Sequence, residues 1–284
     1  HSGSVSGVVW TSPTELLSAD SHGNLARWNA DAGESLSNRE LGTGIQFMRL
    51  SPTELMLAIG FTDGTGQVIN LQSNDTLPFG EQTTDFLTDL AWSPDGSHFA
   101  VARLSGHIEI WNATTAQSDA LIEVFAEDGR ALQFDIAWTA ESDRLVVATE
   151  VEVGLYDAET GFYVRPIDQF SIDSFDVTWS PDSAYLTATW AAPPPNDKMA
   201  VWDVAGGEIV SLVEHAGFGM WLSDSQNLVY LDQSVQPALF KVWSFEDAAA
   251  SDLPDISGYQ RVILSPDGNF MAALAGPNEI EIFD

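Results

Sequence analysis

Seven segments of this chain repeat one pattern, and the repetition limits the possible folds more than any other property of the sequence. They read VVWTSPTELLSAD, FMRLSPTELMLAIG, LAWSPDGSHFAVAR, IAWTAESDRLVVAT, VTWSPDSAYLTAT, MWLSDSQNLVYLD and VILSPDGNFMAAL. Each is a short apolar run, a polar turn and a second apolar run. Their anchors are Trp10, Leu50, Trp92, Trp138, Trp179, Leu222 and Leu264, at separations of 40, 42, 46, 41, 43 and 42 residues. A second series accompanies the first: NLARWN, GQVINLQ, HIEIWN, VGLYD, MAVWD, FKVWS and IEIFD, anchored at Trp28, Leu71, Trp111, Tyr156, Trp202, Trp243 and Phe283. These segments alternate and are rich in β-branched and aromatic residues, so they read as strands.

Seven units of this length, each with about four strands, predict an all-β chain folded as a seven-bladed β-propeller. It reads as a single propeller over residues 1–284, with blades near 1–41, 42–83, 84–128, 129–170, 171–213, 214–256 and 257–284. The SPDG turns have a physical reason. Proline presets the backbone, aspartate bonds locally, and glycine takes the positive φ. No helical periodicity appears over a useful length, and no linker-like stretch divides the chain. The tract Ala191–Asp197 reads as an enlarged loop of the fifth repeat.

At these residues the chain resembles the WD40-repeat propellers. WSPDG at Trp92–Gly96, LSPDG at Leu264–Gly268 and VWD at Val201–Asp203 carry the likeness, and HSGSV at the start is similar to the residues after glycine in that family's Gly-His turn. The likeness covers essentially the whole chain. It departs in detail, because the second residue of the Trp-Asp pair is Asn29, Gln72, Asn112, Asp157, Asp203, Ser244 and Asp284 in turn. The Gly-His turn is nearly absent from the later repeats. The resemblance therefore implies that the family's Asp-His-Ser/Thr-Trp network is incomplete in most blades, which then rest on apolar packing between blades.

The outer strand of a repeat comes after its Trp-Asp strand, as SDALIEVF does after Trp111 and FYVRPID after Tyr156, yet only one residue comes after Phe283. The seventh blade is therefore expected to lack its outer strand within this chain. Either the visible sequence is an excerpt of a longer one, which is favoured, or the blade has an open edge that a strand-donating segment can pair with.

The chain carries 42 acidic against 10 basic residues, a formal charge of −32. Such a field opposes nucleic acid and anionic lipid and favours a basic or neutral protein partner. It also solvates the surface, as in a salt-adapted organism. With no cysteine, disulfides, thiolate metal sites and a cysteine nucleophile are excluded. No apolar run approaches the roughly 20 residues that a spanning helix needs, so membrane insertion is not expected. HSGSVSGVVW is no signal peptide. Scarce lysine and plentiful Ser and Thr favour an extracellular or envelope protein of a prokaryote, with a halophile's cytoplasm as the alternative.

Chemistry is sparse. His1, His22, His98, His107 and His215 are isolated and read as surface or turn residues, without metal-ligand spacing. Nucleophile-elbow, Walker and dinucleotide motifs are absent. FTDGTGQ, Phe61–Gln67, reads as a strand connection, and FAEDGRALQFD lacks the spaced ligands of a calcium loop. Two glycosylation sequons, at Asn74 and Asn112, matter only in a glycosylating secretory pathway. No cofactor, metal site or catalytic set is expected, and the chain is read as a non-enzyme.

One constellation stands out. Asp89, Asp135 and Asp176 each precede the tryptophan of repeats three, four and five by three residues, with Asp85 and Asp173 in the preceding turns. Equivalent positions in adjacent blades should lie side by side, giving an acidic arc for partner binding flanked by the loop of repeat five and DQSVQPALF of repeat six. The plainer reading is that these aspartates cap turns and solvate the rim. The functional expectation is a non-catalytic interaction scaffold, a module of a larger protein or assembly. The alternative is a propeller hydrolase or lyase with its site at the central channel.

Overall fold

The structure, a computed structural model, describes residues 1–42, 44–53, 56–124, 135–139, 141–149, 153–168, 174–180, 184–190, 198–203, 208–222, 226–235, 238–245, 249–257, 262–264, 271–276 and 279–283. The strands form seven small antiparallel sheets, the blades of a seven-bladed β-propeller. Sheet 1 holds β1 (Val5–Ser12), β2 (Glu15–Asp20), β3 (Asn24–Asn29) and β4 (Glu34–Glu40). Sheet 2 holds β5 (Ile45–Leu50), β6 (Met56–Phe61), β7 (Gly66–Asn70) and β8 (Thr76–Phe79). Sheet 3 holds β9 (Leu87–Trp92), β10 (His98–Arg103), β11 (His107–Asn112) and β12 (Ser118–Glu123). Sheet 4 holds β13 (Asp135–Trp138), β14 (Arg144–Ala148), β15 (Val153–Asp157) and β16 (Tyr163–Asp168). Sheet 5 holds β17 (Ser174–Trp179), β18 (Tyr185–Trp190), β19 (Lys198–Asp203) and β20 (Glu208–Glu214). Sheet 6 holds β21 (Ala216–Trp221), β22 (Asn227–Asp232), β23 (Leu239–Ser244) and β24 (Ala249–Ser257). Among the described residues, sheet 7 holds β25 (Val262–Leu264), β26 (Met271–Gly276) and β27 (Glu279–Phe283).

Register explains the repeated anchors. Trp92 stands opposite Phe99, Trp138 opposite Leu145 and Trp179 opposite Leu186. In sheet 6 it is Trp221, not Leu222, that takes this place, opposite Leu228. The sixth anchor read from the sequence is thus one residue too late, because MWL offers two large apolar candidates side by side.

The second strand of each sheet shows why the packing works. In β2, Leu16 and Leu17 point to opposite faces and are both buried. Leu16 packs with Trp10 and Ala272 of sheet 7, while Leu17 packs with Ile45, Met48, Leu57 and Ile59 of sheet 2. A strand covered on both faces reads as a continuous apolar run rather than an alternating one. That is the pattern of ELLSAD, MLAIGF and HFAVAR.

The chain falls into two compact units. The first comprises residues 1–104, 108–119 and 259–284, the second residues 105–107 and 120–258. In the first, Phe79 of β8 closes the layer between sheets 2 and 3, its ring 4.9 Å from Phe99 and 5.6 Å from Trp111. Gly66, opposite Phe79 in the ladder, has to be glycine, because a Cβ there would lie 2.1 Å from the phenylalanine ring. In the second, Leu155, Ile167, Leu186 and Trp202 form one apolar layer, and Val201, Val213, Trp221 and Tyr230 the next.

The WSPDG turn does what its residues require. The Ser97 amide donates to Asp95 Oδ1 at 2.9 Å, and Gly96 has φ +70°. Its second copy, at 265–268, and the tract 191–197 lie outside the described residues.

Sheet 1 contains the complete polar network that the WD40 resemblance implies. His1, read from the sequence as a surface or turn residue, is buried beneath Asp20 and Ser18; its Nδ1 lies 3.2 Å from Asp20 Oδ2. The Trp28 indole donates to Ser18 Oγ at 2.7 Å. In sheet 2 all four positions are apolar: Leu41, Ile59, Phe61 and Ile69 belong to one core cluster. In sheets 3 and 6 the indoles of Trp111 and Trp243, equivalent to Trp28, are buried without a hydrogen-bond partner. Val101 and Tyr230 stand there in place of Ser18. An orphaned buried donor costs about 1–3 kcal/mol, so apolar burial has to outweigh it.

Phe99→Ala should therefore destabilise the first unit by about 3–5 kcal/mol, and Ser18→Ala by about 1–3 kcal/mol through the two groups it leaves unpaired. Urea unfolding followed by tryptophan fluorescence checks both.

Candidate functional site

The three pre-tryptophan aspartates occupy one register step. Asp89 pairs with Ala102, Asp135 with Ala148 and Asp176 with Thr189 in their ladders. Asp135 and Asp176 sit on β13 and β17, which are neighbouring first strands of the second unit. Asp89 and Asp85 belong to the first unit. Asp173 lies outside the described residues, as does the side chain of Asp176.

Their environments differ. Asp89 is 8% exposed and faces Arg49 of sheet 2, whose Nη2 lies 3.5 Å from its Oδ1. The adjacent Leu90 amide donates to the same oxygen at 2.7 Å. Asp89 thus helps to hold sheets 2 and 3 together. Asp85 is half-buried in the turn before β9, where its amide donates to Thr83 Oγ1 at 3.1 Å. Asp135 is half-buried at the start of β13.

Two arginines organise this side of the first unit, and the sequence reading did not single them out. Arg103, 6% exposed, bonds Glu109 through Nε at 3.0 Å. Its Nη1 reaches the carbonyls of Gly64 at 3.1 Å and Asp85 at 3.3 Å. One buried guanidinium therefore ties the FTDGTGQ turn, which does connect β6 to β7, to the turn carrying Asp85. Lining up the repeats reveals the signal. Arg103 stands where the other second strands have Asp20, Phe61, Thr149, Trp190, Asp232 and Ala275. Arg49 is the one charge within the first strand IQFMRL, and its guanidinium also lies 5.8 Å over the Phe47 ring.

Most cations are used internally. Among the eight described Lys and Arg side chains, Arg27, Arg49, Arg103, Arg144, Lys198 and Lys241 each pair with a carboxylate. Lys241 sits 2.7 Å from buried Asp232. Burial pushes the Asp232 carboxyl up, but Lys241 and Ser234 outweigh this and hold it below the usual carboxylate range. The Asp20 carboxyl is likewise raised by burial and lowered further by donors from Asn24, Gly3 and His22. The remaining carboxylates have few cations left to neutralise them.

The other described histidines are local. His98 lies 3.1 Å from Asp119, His107 lies 3.5 Å from Glu123, and His215 occupies a positive-φ turn. Among the described residues no group of three or more His, Asp or Glu side chains is placed to hold a metal ion, and no helix is long and apolar enough to cross a membrane.

Known proteins share this pattern. Residues 48–134 match the model of the anaphase-promoting complex subunit 4 WD40 domain. Telomerase protein component 1 of Mus musculus is 25% identical over 227 residues, covering 75% of this chain and 8% of that protein. Its Rattus norvegicus counterpart shows the same identity and coverage. The chain thus spans under a tenth of the length of these relatives.

The depressed carboxyls set an acid limit. A group lowered on folding contributes stability above its unfolded pKa, about 3.9 for aspartate, and loses it as pH falls through the folded value. Stability should hold from neutral pH to about pH 4 and then decline. Asp20→Asn should lower the plateau and flatten the decline, as a series of urea titrations from pH 7 to pH 2 would show.

Proposed function

Since the chain is a WD40-repeat β-propeller, we propose that it is a non-catalytic interaction scaffold, one module of a larger protein or assembly. It binds a basic or neutral protein partner through a surface to which Asp85, Asp135, Asp173 and Asp176 contribute. Asp89 is instead paired with Arg49 within the first unit. The observation that carries this reading is the use of cations: six are held in internal ion pairs, against a formal charge of −32. A field left uncompensated in this way attracts cations and opposes phosphate backbones. The module reading draws on the great length of the matched relatives and on a matched domain named for a subunit of a complex.

The test uses a lysine-rich peptide as probe, with fluorescence anisotropy measured at rising sodium chloride. Affinity should fall as salt rises. Asp85→Lys with Asp135→Lys should weaken binding about fivefold. Glu34→Lys with Glu40→Lys on β4 changes the net charge equally and should weaken it much less. Equal effects of the two pairs would mean that the acidic surface only solvates and that the loop face has no special part.

A further inference from the structure

Outer strands generally close the layers between sheets. Phe79 of β8, Ile122 of β12, Ile167 of β16 and Val213 of β20 are all at most 8% exposed. β4 differs from these four strands, because every one of its residues is exposed. Register shows what has changed. In sheet 2, Val68 pairs with Leu77 and Gly66 with Phe79. In sheet 5, Met199 pairs with Val213. In sheet 1 the corresponding pairs are Arg27 with Ser37 and Leu25 with Arg39. Where its counterparts bury apolar side chains, sheet 1 carries a serine and two arginines.

The result is a cleft between sheets 1 and 2, wholly within the first unit. Its volume is about 260 Å³, just below the roughly 300–1,000 Å³ typical of ligand pockets. Leu17, Leu25, Ile69 and Leu71 line it with apolar surface, and Arg27 and Arg39 line it with charge. As diagonal neighbours on one face, the two arginines stand about 7–8 Å apart. Arg27 is already engaged by Glu15, which accepts its Nε at 3.0 Å. Arg39 makes no ion pair among the described residues. In a chain with four acids for every base, an exposed guanidinium left without a carboxylate over an apolar floor is unusual, and it has a specific complement.

We propose that this cleft binds an acidic peptide segment. An aliphatic side chain of the ligand packs on Leu25 and Ile69, and a neighbouring carboxylate bonds the Arg39 guanidinium in the paired geometry that arginine favours. Gln72 and Asn74, at the far wall, supply amide donors to the same segment. The site is separate from the acidic loop face and has the opposite charge preference, so the two surfaces hold different partners.

Fluorescence anisotropy on the whole chain tests this with a labelled Leu-Glu-Leu-Asp-Leu peptide and a Leu-Gln-Leu-Asn-Leu control. The acidic peptide should bind, and the amide control about tenfold more weakly. Arg39→Leu should reduce acidic-peptide binding by a similar factor and Arg39→Glu should abolish it. Both changes lie on an exposed strand, so unchanged urea midpoints should accompany them. The proposal is overturned if the acidic peptide does not bind, if both peptides bind alike, or if Arg39→Glu binds like the parent. It is overturned equally if a single-stranded oligonucleotide competes for the cleft better than the acidic peptide.

Discussion

A sheet packed on both faces has no polar side to rest on. Most residues of its second strand meet another sheet, so a buried residue there has to be apolar or carry a partner with it. Most of this molecule follows from that constraint. Leu16 and Leu17, adjacent in sequence, serve two different apolar layers. Where the strands admit a polar group, it comes with company. Asp20 brings His1, Ser18 and Asn24, Arg103 brings Glu109 and two carbonyls, and Asp232 brings Lys241.

The comparison of sheets 1 and 2 shows that the polar network and the apolar cluster are alternative solutions at one place. His1, Ser18 and Trp28 meet beside Asp20 in the first sheet. Leu41, Ile59, Phe61 and Ile69 meet at the matching positions in the second. The substitution is concerted. Changing one member alone would leave an orphaned donor or a buried charge, and both cost more than either complete solution. Trp111 and Trp243 show the intermediate case, keeping the indole after the serine position has changed and leaving its N–H unpaired.

Blade number and turn chemistry were legible in the chain because they depend on local patterns: apolar runs, SPDG turns and fixed spacing. The register of β21 was not, because Trp221 and Leu222 are equally apolar and only the hydrogen-bonded ladder separates them. The burial of His1 was hidden for a different reason. An isolated histidine in a turn looks like a surface residue until Ser18 and Asp20 are folded over it. Asp89 looked like an exposed acid because its partner, Arg49, lies 40 residues away in the preceding repeat. Spacing identified the aspartate column; only the fold shows which member is engaged between sheets. Charge divides the surface in the same way. Guanidinium groups that face inward hold turns and sheets, and Arg39 faces solvent over an apolar floor.

Amide hydrogen exchange resolved strand by strand tests most directly whether apolar layers, rather than the polar network, hold the sheets. The account predicts that β6 and β7, which have no such network, are protected nearly as strongly as β2 and β3. All four should exchange only through the largest opening of the first unit. Protection concentrated in β2 and β3, with β6 and β7 exchanging orders of magnitude faster, would contradict it and return the stabilising role to the His1–Asp20–Ser18–Trp28 network.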